Sequence, residues 1–328
     1  MSRFLVSIAA AALCLQALPA PAEEVLLLPY FDSNGENGVF LAWSADGVSF
    51  SPVNERRPIF KPPQWRGQNL TRDPSIIWHD GRFHMVWTSH WTGRWFGYAS
   101  SPDLKDWSKP QQVQPFPDGE EQPKNIWAPE IFHDHIAGDF KIVWSSTLPS
   151  ELSDDDHSVD SHGHDHRMYY TATKDFRSFS PPEPITVDRD KSVIDAYVAW
   201  DQQGERWVMV YKNEYPIADG GKNLVLAFSP PKISPRSFTS TTEPIVGPGA
   251  PIAPEAMVEG PSLVRWQDRW LLYWDSYILR HYAMASSTDL EQWQDHTREL
   301  KMPVERPRHG TVFAAERSAI GWPLPPGE

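Results

Sequence analysis

Four acidic residues stand where short strand-like segments begin, and they are the groups best suited to do chemistry. Asp73 lies in TRDPSI (71–76), Glu130 in NIWAPEIF (125–132), Asp195 in SVIDAYV (192–198) and Glu259 in VEGPSLV (258–264). Carboxyl groups gathered at one place can break a glycosidic bond. One protonates the departing oxygen, a second activates water or attacks directly, and a third nearby raises the proton affinity of the acid by like-charge repulsion. Taken singly, an acid beside Pro or Gly at a strand start is more simply a turn residue bonded to its own backbone. Recurrence at one register favours a shared site.

Such acids need a scaffold that brings distant stretches together. Phe83, Met85 and Trp87 share one face of a short segment, and Phe140/Ile142/Trp144, Trp207/Met209/Tyr211 and Trp270/Leu272/Trp274 repeat the pattern. Period-two alternation bounded by turn residues reads as β-strand. Each of these strands follows one acid by a nearly constant interval, and the acids recur roughly every 60 residues, a repeat too long for one hairpin. A second element, an aromatic four residues after an aspartate, recurs at Asp46/Phe50, Asp103/Trp107, Asp175/Phe179 and Asp289/Trp293, with a degenerate copy between Phe228 and Phe238.

Five outer elements against four acid-led units leave one sheet without an inner strand. The segment around RHGTVF (308–313) supplies it, beside strands from residues 25–60. The expectation is an all-β chain, a five-bladed β-propeller closed by pairing of its N- and C-terminal strands, in a single catalytic domain over residues 23–328. A two-layer sandwich is the competing architecture, because strands and turns alone do not fix closure. In a propeller the inner strands open on one end of the axis, so Asp73, Glu130, Asp195 and Glu259 meet there, with His309 at the fifth position.

The 328 residues carry a net charge of -13, which disfavours nucleic acid as a partner, and 32 prolines, about twice the usual share. Arg3, an apolar run from Phe4 to Leu18 and Ala20-Pro21-Ala22 read as a signal peptide over residues 1–22. The run is too short for a membrane anchor. Cys14, the only cysteine, lies inside that leader, so no disulfide is expected in a periplasmic or secreted mature chain.

The five segments above resemble the blade motifs of glycoside hydrolase family 43, five-bladed enzymes that act mainly on arabinofuranosyl and xylosyl linkages. The likeness spans nearly the whole mature chain. It implies an inverting hydrolase in which Asp73 is the general base, Asp195 the acid that tunes and orients its partner, and Glu259 the general acid. Ala196 stands where the family more often has proline. Glu130 falls outside the three implied catalytic acids and is expected either to bind sugar hydroxyls or to lock its blade. The family often uses a histidine at the position of His309 near a central calcium or water cluster. His309 is therefore a candidate for substrate contact and for metal contact, although calcium prefers oxygen ligands and no cofactor is required by the chemistry.

An aromatic face covers the apolar side of a sugar ring, and Trp91, Trp95 and Trp127 are the candidates for that role, with Arg72 beside the base. Residues 153–167, SDDDHSVDSHGHDHR, fit no closed zinc pattern and are expected as an exposed loop whose end borders the pocket. The partner implied is an oligo- or polysaccharide, most simply one bearing α-L-arabinofuranosyl residues. β-Xylosyl or galactofuranosyl substrates and a non-catalytic carbohydrate-binding propeller are the alternatives. Oligomeric state is left open.

Overall fold

The computed structural model describes residues 23–325 apart from 66, 68, 153–161 and 187–190. The leader expected at 1–22 and the first part of the His/Asp-rich segment lie outside the described residues. Five antiparallel four-stranded sheets make up the fold. From the axis outward, the second sheet runs Arg72–His79, Arg82–Thr88, Phe96–Ser101, Gln111–Val113, and the third Trp127–Asp134, Asp139–Ser146, Arg167–Thr173, Glu183–Pro184. The fourth runs Val193–Asp201, Arg206–Asn213, Leu224–Ser229, Ser240–Thr241, and the fifth Glu259–Trp266, Arg269–Ser276, His281–Ser287, Gln294–Asp295. The first sheet joins both ends of the chain: Phe313–Glu316 pairs with Glu24–Tyr30, setting Leu27 against Phe313 and Val25 against Ala315, and Phe40–Ser44 and Ser51–Pro52 complete it. The fold is the five-bladed β-propeller, closed as expected.

The alternation along the strands sorts residues between two neighbouring cores, not between core and water. Met85 and Trp87 pack with Trp43, Leu27 and Phe313 of the first sheet, whereas Val86 between them packs with Ile131, Ile142 and Trp144 of the third. The other gaps are filled in the same way, Trp207 and Met209 lying with Val143 and Met168, and Leu271 and Tyr273 with Leu26 and Tyr30. Five such seams hold the ring, which is why a chain without disulfides can keep a large all-β fold.

The Asp-x-x-x-aromatic element is a turn that closes the outer part of four sheets. In each, Ser44, Ser101, Thr173 or Ser287 lies two residues before the aspartate, and one carboxylate oxygen accepts the N–H groups two and three residues on, as Lys105 and Asp106 do with Asp103 at 2.9 and 2.8 Å. Those N–H bonds hold the Asp175 and Asp289 carboxyls below the usual range. The residue after the aspartate turns left-handed (Gly47, Leu104, Phe176, Leu290), and the following aromatic enters a seam, Trp107 with the first core and Trp293 with the fourth and fifth sheets.

One seam contact tests this packing. Gly97 pairs with Trp87, and a Cβ on Gly97 would stand 1.9 Å from Trp87 Cε2. Gly97→Ala is expected to cost about 1–3 kcal/mol by overpacking, read as a lower urea midpoint with an unchanged slope.

Candidate active site

Four of the inner strands carry a bulge near their start. The register with the second strand slips between Arg72 and Ser75, Trp127 and Glu130, Ile194 and Tyr197, and Glu259 and Ser262. Within each slip one residue turns left-handed: Asp73 (φ 51°), Ala128 (46°), Asp195 (56°) and Gly260 (56°). A bulge of this kind re-aims side chains at a sheet's end. The four acids therefore do not share one register, a correction to the expectation from their spacing. Asp73 and Asp195 are equivalent, Glu259 precedes its bulge residue, and Glu130 lies two residues beyond Ala128.

Asp73, Asp195 and Glu259 nonetheless open on one cavity of about 430 Å³, together with Arg72, Trp91, Trp127 and His309. His309 Nδ1 lies 3.5 Å from Asp73 Oδ1 and 3.8 Å from Asp195 Oδ2, and the Gly260 N–H donates to Asp195 Oδ2 at 3.0 Å. The close approach of backbone to imidazole explains the glycine, since a Cβ there would fall 2.5 Å from His309 Cγ. Glu259 accepts from Arg308 Nη2 at 2.8 Å, and its other oxygen is 3.8 Å from Lys212 Nζ. Arg308 also donates from Nε to Asp275 Oδ2 at 2.9 Å, so one guanidinium bridges two carboxylates.

Burial is the dominant influence on the Asp195 carboxyl and pushes it up to about 6; His309 opposes this, Glu259 adds to it, Lys212 opposes it, and Asp73 adds to it. Asp275 is likewise pushed up to about 6 by burial first, then by Glu259, with Arg308 opposing. Burial thus favours the protonated form of one carboxyl inside the cavity, Asp195, and of one behind it, Asp275.

Trp91 is 43% exposed at the cavity wall. Its indole N–H donates to Asn34 Oδ1 at 3.0 Å, the Arg72 guanidinium lies 4.1 Å from its ring centre, and Arg72 Nη1 donates to the same Asn34 oxygen at 3.0 Å. Trp127 meets Trp91 edge-on at 5.5 Å and donates to its carbonyl at 2.8 Å. Trp95 does not line the cavity; its indole nitrogen is buried. Glu130 does not line it either. It is enclosed further along its strand beside Ser75, and burial pushes its carboxyl well above the usual range against the Ser75 hydrogen bond. Neither therefore stands with the cavity-lining residues, because the sequence pattern could not tell a side chain at the strand mouth from one enclosed further along.

His162 reaches the cavity, and the His164 and His166 rings each pack 4.8 Å from Trp127, so the end of the His/Asp-rich segment does border the pocket. Asp165 and Arg167, both buried, join through two oxygens at the start of the Arg167–Thr173 strand. Around His309, the Nδ1 nitrogen faces the Asp73 and Asp195 carboxyl groups. Among the described residues no group of three His, Cys, Asp or Glu side chains is disposed to hold a metal ion.

Lys212, Glu214, Tyr277 and Arg308 also line the cavity, and Asp275 lies behind Arg308. Sequence reasoning placed none of them in the site with a role. The available signal was a charged residue at the end of a strand covered on both faces, as in VMVYKN and LLYWDS.

A family model described as "Probable glycosyl hydrolase domain", related to glycoside hydrolase family 43, matches residues 24–319. The chain belongs to this family. Family-43-type enzymes hydrolyse glycosidic bonds, and this member is a carbohydrate-active hydrolase of that fold. Among solved structures, a thermostable family-43 glycoside hydrolase is similar at 19% identity and a TM-score of 0.51, with 69% of this chain and 71% of that one covered. A family-43 β-1,3-galactosidase with galactodeoxynojirimycin is similar at 10% identity and a TM-score of 0.50, over 69% and 75% of the two chains. An exo-β-1,3-galactanase from Phanerochaete chrysosporium, bound to β-1,3-galactotriose, has 10% identity and a TM-score of 0.51 over 72% and 53%. At these identities the likeness is one of fold. No protein with a curated description matches the sequence. Among the described residues no helix is long and apolar enough to cross a membrane.

The family-43 hydrolase carries its buried acids at a measurable cost. A carboxyl that holds its proton more tightly folded than unfolded makes stability fall as pH rises between the two pKa values, here from about 4 to about 6. Asp195→Asn keeps the acceptor for the Gly260 N–H and removes the ionisation. The variant is expected to melt a few degrees above the parent at pH 7, with a flatter dependence of Tm on pH between 4 and 6. An equal Tm at pH 7 would contradict the reading. Gly260→Ala is expected to lower Tm and to impair turnover together, because the new methyl displaces His309 from between Asp73 and Asp195.

Proposed function

We propose that this chain is an inverting glycosidase that releases α-L-arabinofuranosyl residues from oligo- or polysaccharides in the periplasm or outside the cell. The observation that carries the catalytic part is the meeting of Asp73, Asp195 and Glu259 in one aromatic-walled cavity, with His309 between two of them. In this reading Asp73 takes a proton from a water molecule as its oxygen attacks the anomeric carbon. Glu259 gives its proton to the glycosidic oxygen as that bond breaks, leaving a free sugar and a neutral alcohol. Asp195 does not exchange protons with substrate. Its place between His309 and the Gly260 N–H suits it to fix the geometry of the other two.

Trp91 and Trp127 supply apolar faces for sugar rings, and Arg72, Glu214, Tyr277 and His309 supply donors and acceptors for hydroxyls. The arabinofuranosyl preference rests on the motif resemblance and makes xylosyl and galactosyl compounds the first comparators. Export rests on the leader-like pattern of residues 1–22.

Hydrolysis of a panel of aryl glycosides, with the first-formed anomer followed by NMR, tests the proposal. The α-L-arabinofuranoside is expected to be the best substrate and to yield the β-anomer first. Glu259→Gln and Asp73→Asn, each folded as judged by circular dichroism, are expected to lose about 10²–10⁴-fold in turnover of substrates with poor leaving groups. First-formed α-anomer would instead require one acid to act as nucleophile. Undiminished sugar binding without hydrolysis by the parent protein would make it a binding propeller.

A further inference from the structure

Six charged side chains alternate in sign along one wall of the cavity and behind it. Lys222 Nζ lies 2.6 Å from Glu214 Oε1, and Glu214 Oε2 lies 2.7 Å from Lys212 Nζ. Lys212 Nζ is 3.8 Å from Glu259 Oε2, Glu259 Oε1 is 2.8 Å from Arg308 Nη2, and Arg308 Nε is 2.9 Å from Asp275 Oδ2. Lys212 is the buried middle of this row, with a side chain only 2% exposed, and its ammonium also sits 4.9 Å from the Tyr277 ring centre. Burial works against its charge, but Glu214 and Glu259 outweigh that and keep it an ammonium.

Glu259 is faced from every side by charged or titratable groups. Arg308 comes from the segment before the closing strand, Asp275 and Tyr282 from the second and third strands of its own sheet, Tyr277 from the residue after Ser276, and Lys212 and Asp195 from the fourth sheet. Arg308 is committed to Asp275 as well and stays charged at any working pH. Lys212 differs, because its closer partner is Glu214, and the share of its charge felt by Glu259 depends on that third group.

A residue that must donate a proton works only below the pH at which it loses it. We infer that Lys212, held between Glu214 and Glu259, is a positioning residue that sets the upper pH limit of hydrolysis, and that Glu214 moderates its effect. The inference rests on Glu259 being the general acid. A cation about 4 Å from a carboxylate lowers its proton affinity by roughly 1–3 pK units, and Glu214 draws part of that influence away.

The test is the pH dependence of kcat/KM for the parent, Lys212→Met and Glu214→Gln on the aryl glycoside the protein hydrolyses best. Lys212→Met is expected to move the alkaline limb up by about one pH unit and leave the acidic limb in place. Glu214→Gln, which leaves Lys212 with Glu259 alone, is expected to move the same limb down. Damage to the fold scales a profile without moving its limbs in opposite directions, and if Lys212→Met does not fold, the downward shift in Glu214→Gln decides. An unmoved alkaline limb in a folded variant, or shifts of the same sign, overturns the inference. A dinitrophenyl glycoside, whose leaving group needs little protonation, separates the two levels. There Glu259→Gln is expected to keep turnover and lose the alkaline limb. A limb that persists refutes Glu259 as the acid, and the inference with it. A limb lost there but unmoved in the Lys212 and Glu214 variants refutes only the role of Lys212.

Discussion

A carboxylate taken out of water must be given a counter-charge or a proton, and that requirement shapes the functional end of this propeller. Asp195 and Asp275 are buried, and burial draws both toward the protonated form. Glu259 stays among cations supplied from two other parts of the chain, Lys212 from the fourth sheet and Arg308 from the segment leading to the closing strand. The His309 imidazole lies between Asp73 and Asp195. Each acid therefore has a different electrostatic surrounding although all open on one cavity, and division of labour among like side chains follows from surroundings alone.

The scaffold meets this need through its seams. Every sheet is covered on both faces by its neighbours, so the inner strands are held laterally by large aromatics such as Trp87, Trp144 and Trp274, each fully buried. Rigid strands then tolerate local distortion at their mouths. Left-handed backbone at Asp73 and Asp195 is uncommon for residues with a side chain and persists where surrounding structure over-determines it. The bulges aim the carboxylates; the seams hold the bulges.

Much of this was legible in the residues. The strand faces Phe83/Met85/Trp87 and their three counterparts identified the blades, and the excess of aspartate turns over acid-led units pointed to the segment around RHGTVF, whose last residue, Phe313, begins the closing strand. The register was not legible, because a bulge adds a residue that no periodicity announces. Ala128, not Glu130, matches Asp73, and Glu130 consequently sits enclosed beside Ser75. Trp95 stands outside the cavity lining for a related reason, since indole chemistry is the same wherever the ring lies. Lys212, Asp275 and Arg308 carried the faintest trace. Their meaning lies in contacts between sheets far apart in sequence, and a lysine near the end of a strand looks like a solvated one until its neighbours are known.

The closing strand and the site share one segment of chain. Arg308 and His309 lie a few residues before the strand that completes the first sheet, so a single stretch finishes both the architecture and the catalytic cup. Without that stretch the guanidinium on Glu259, the imidazole between the aspartates and the clasp on the ring would all be missing together. One stretch of chain therefore couples ring closure to the groups that surround the acids.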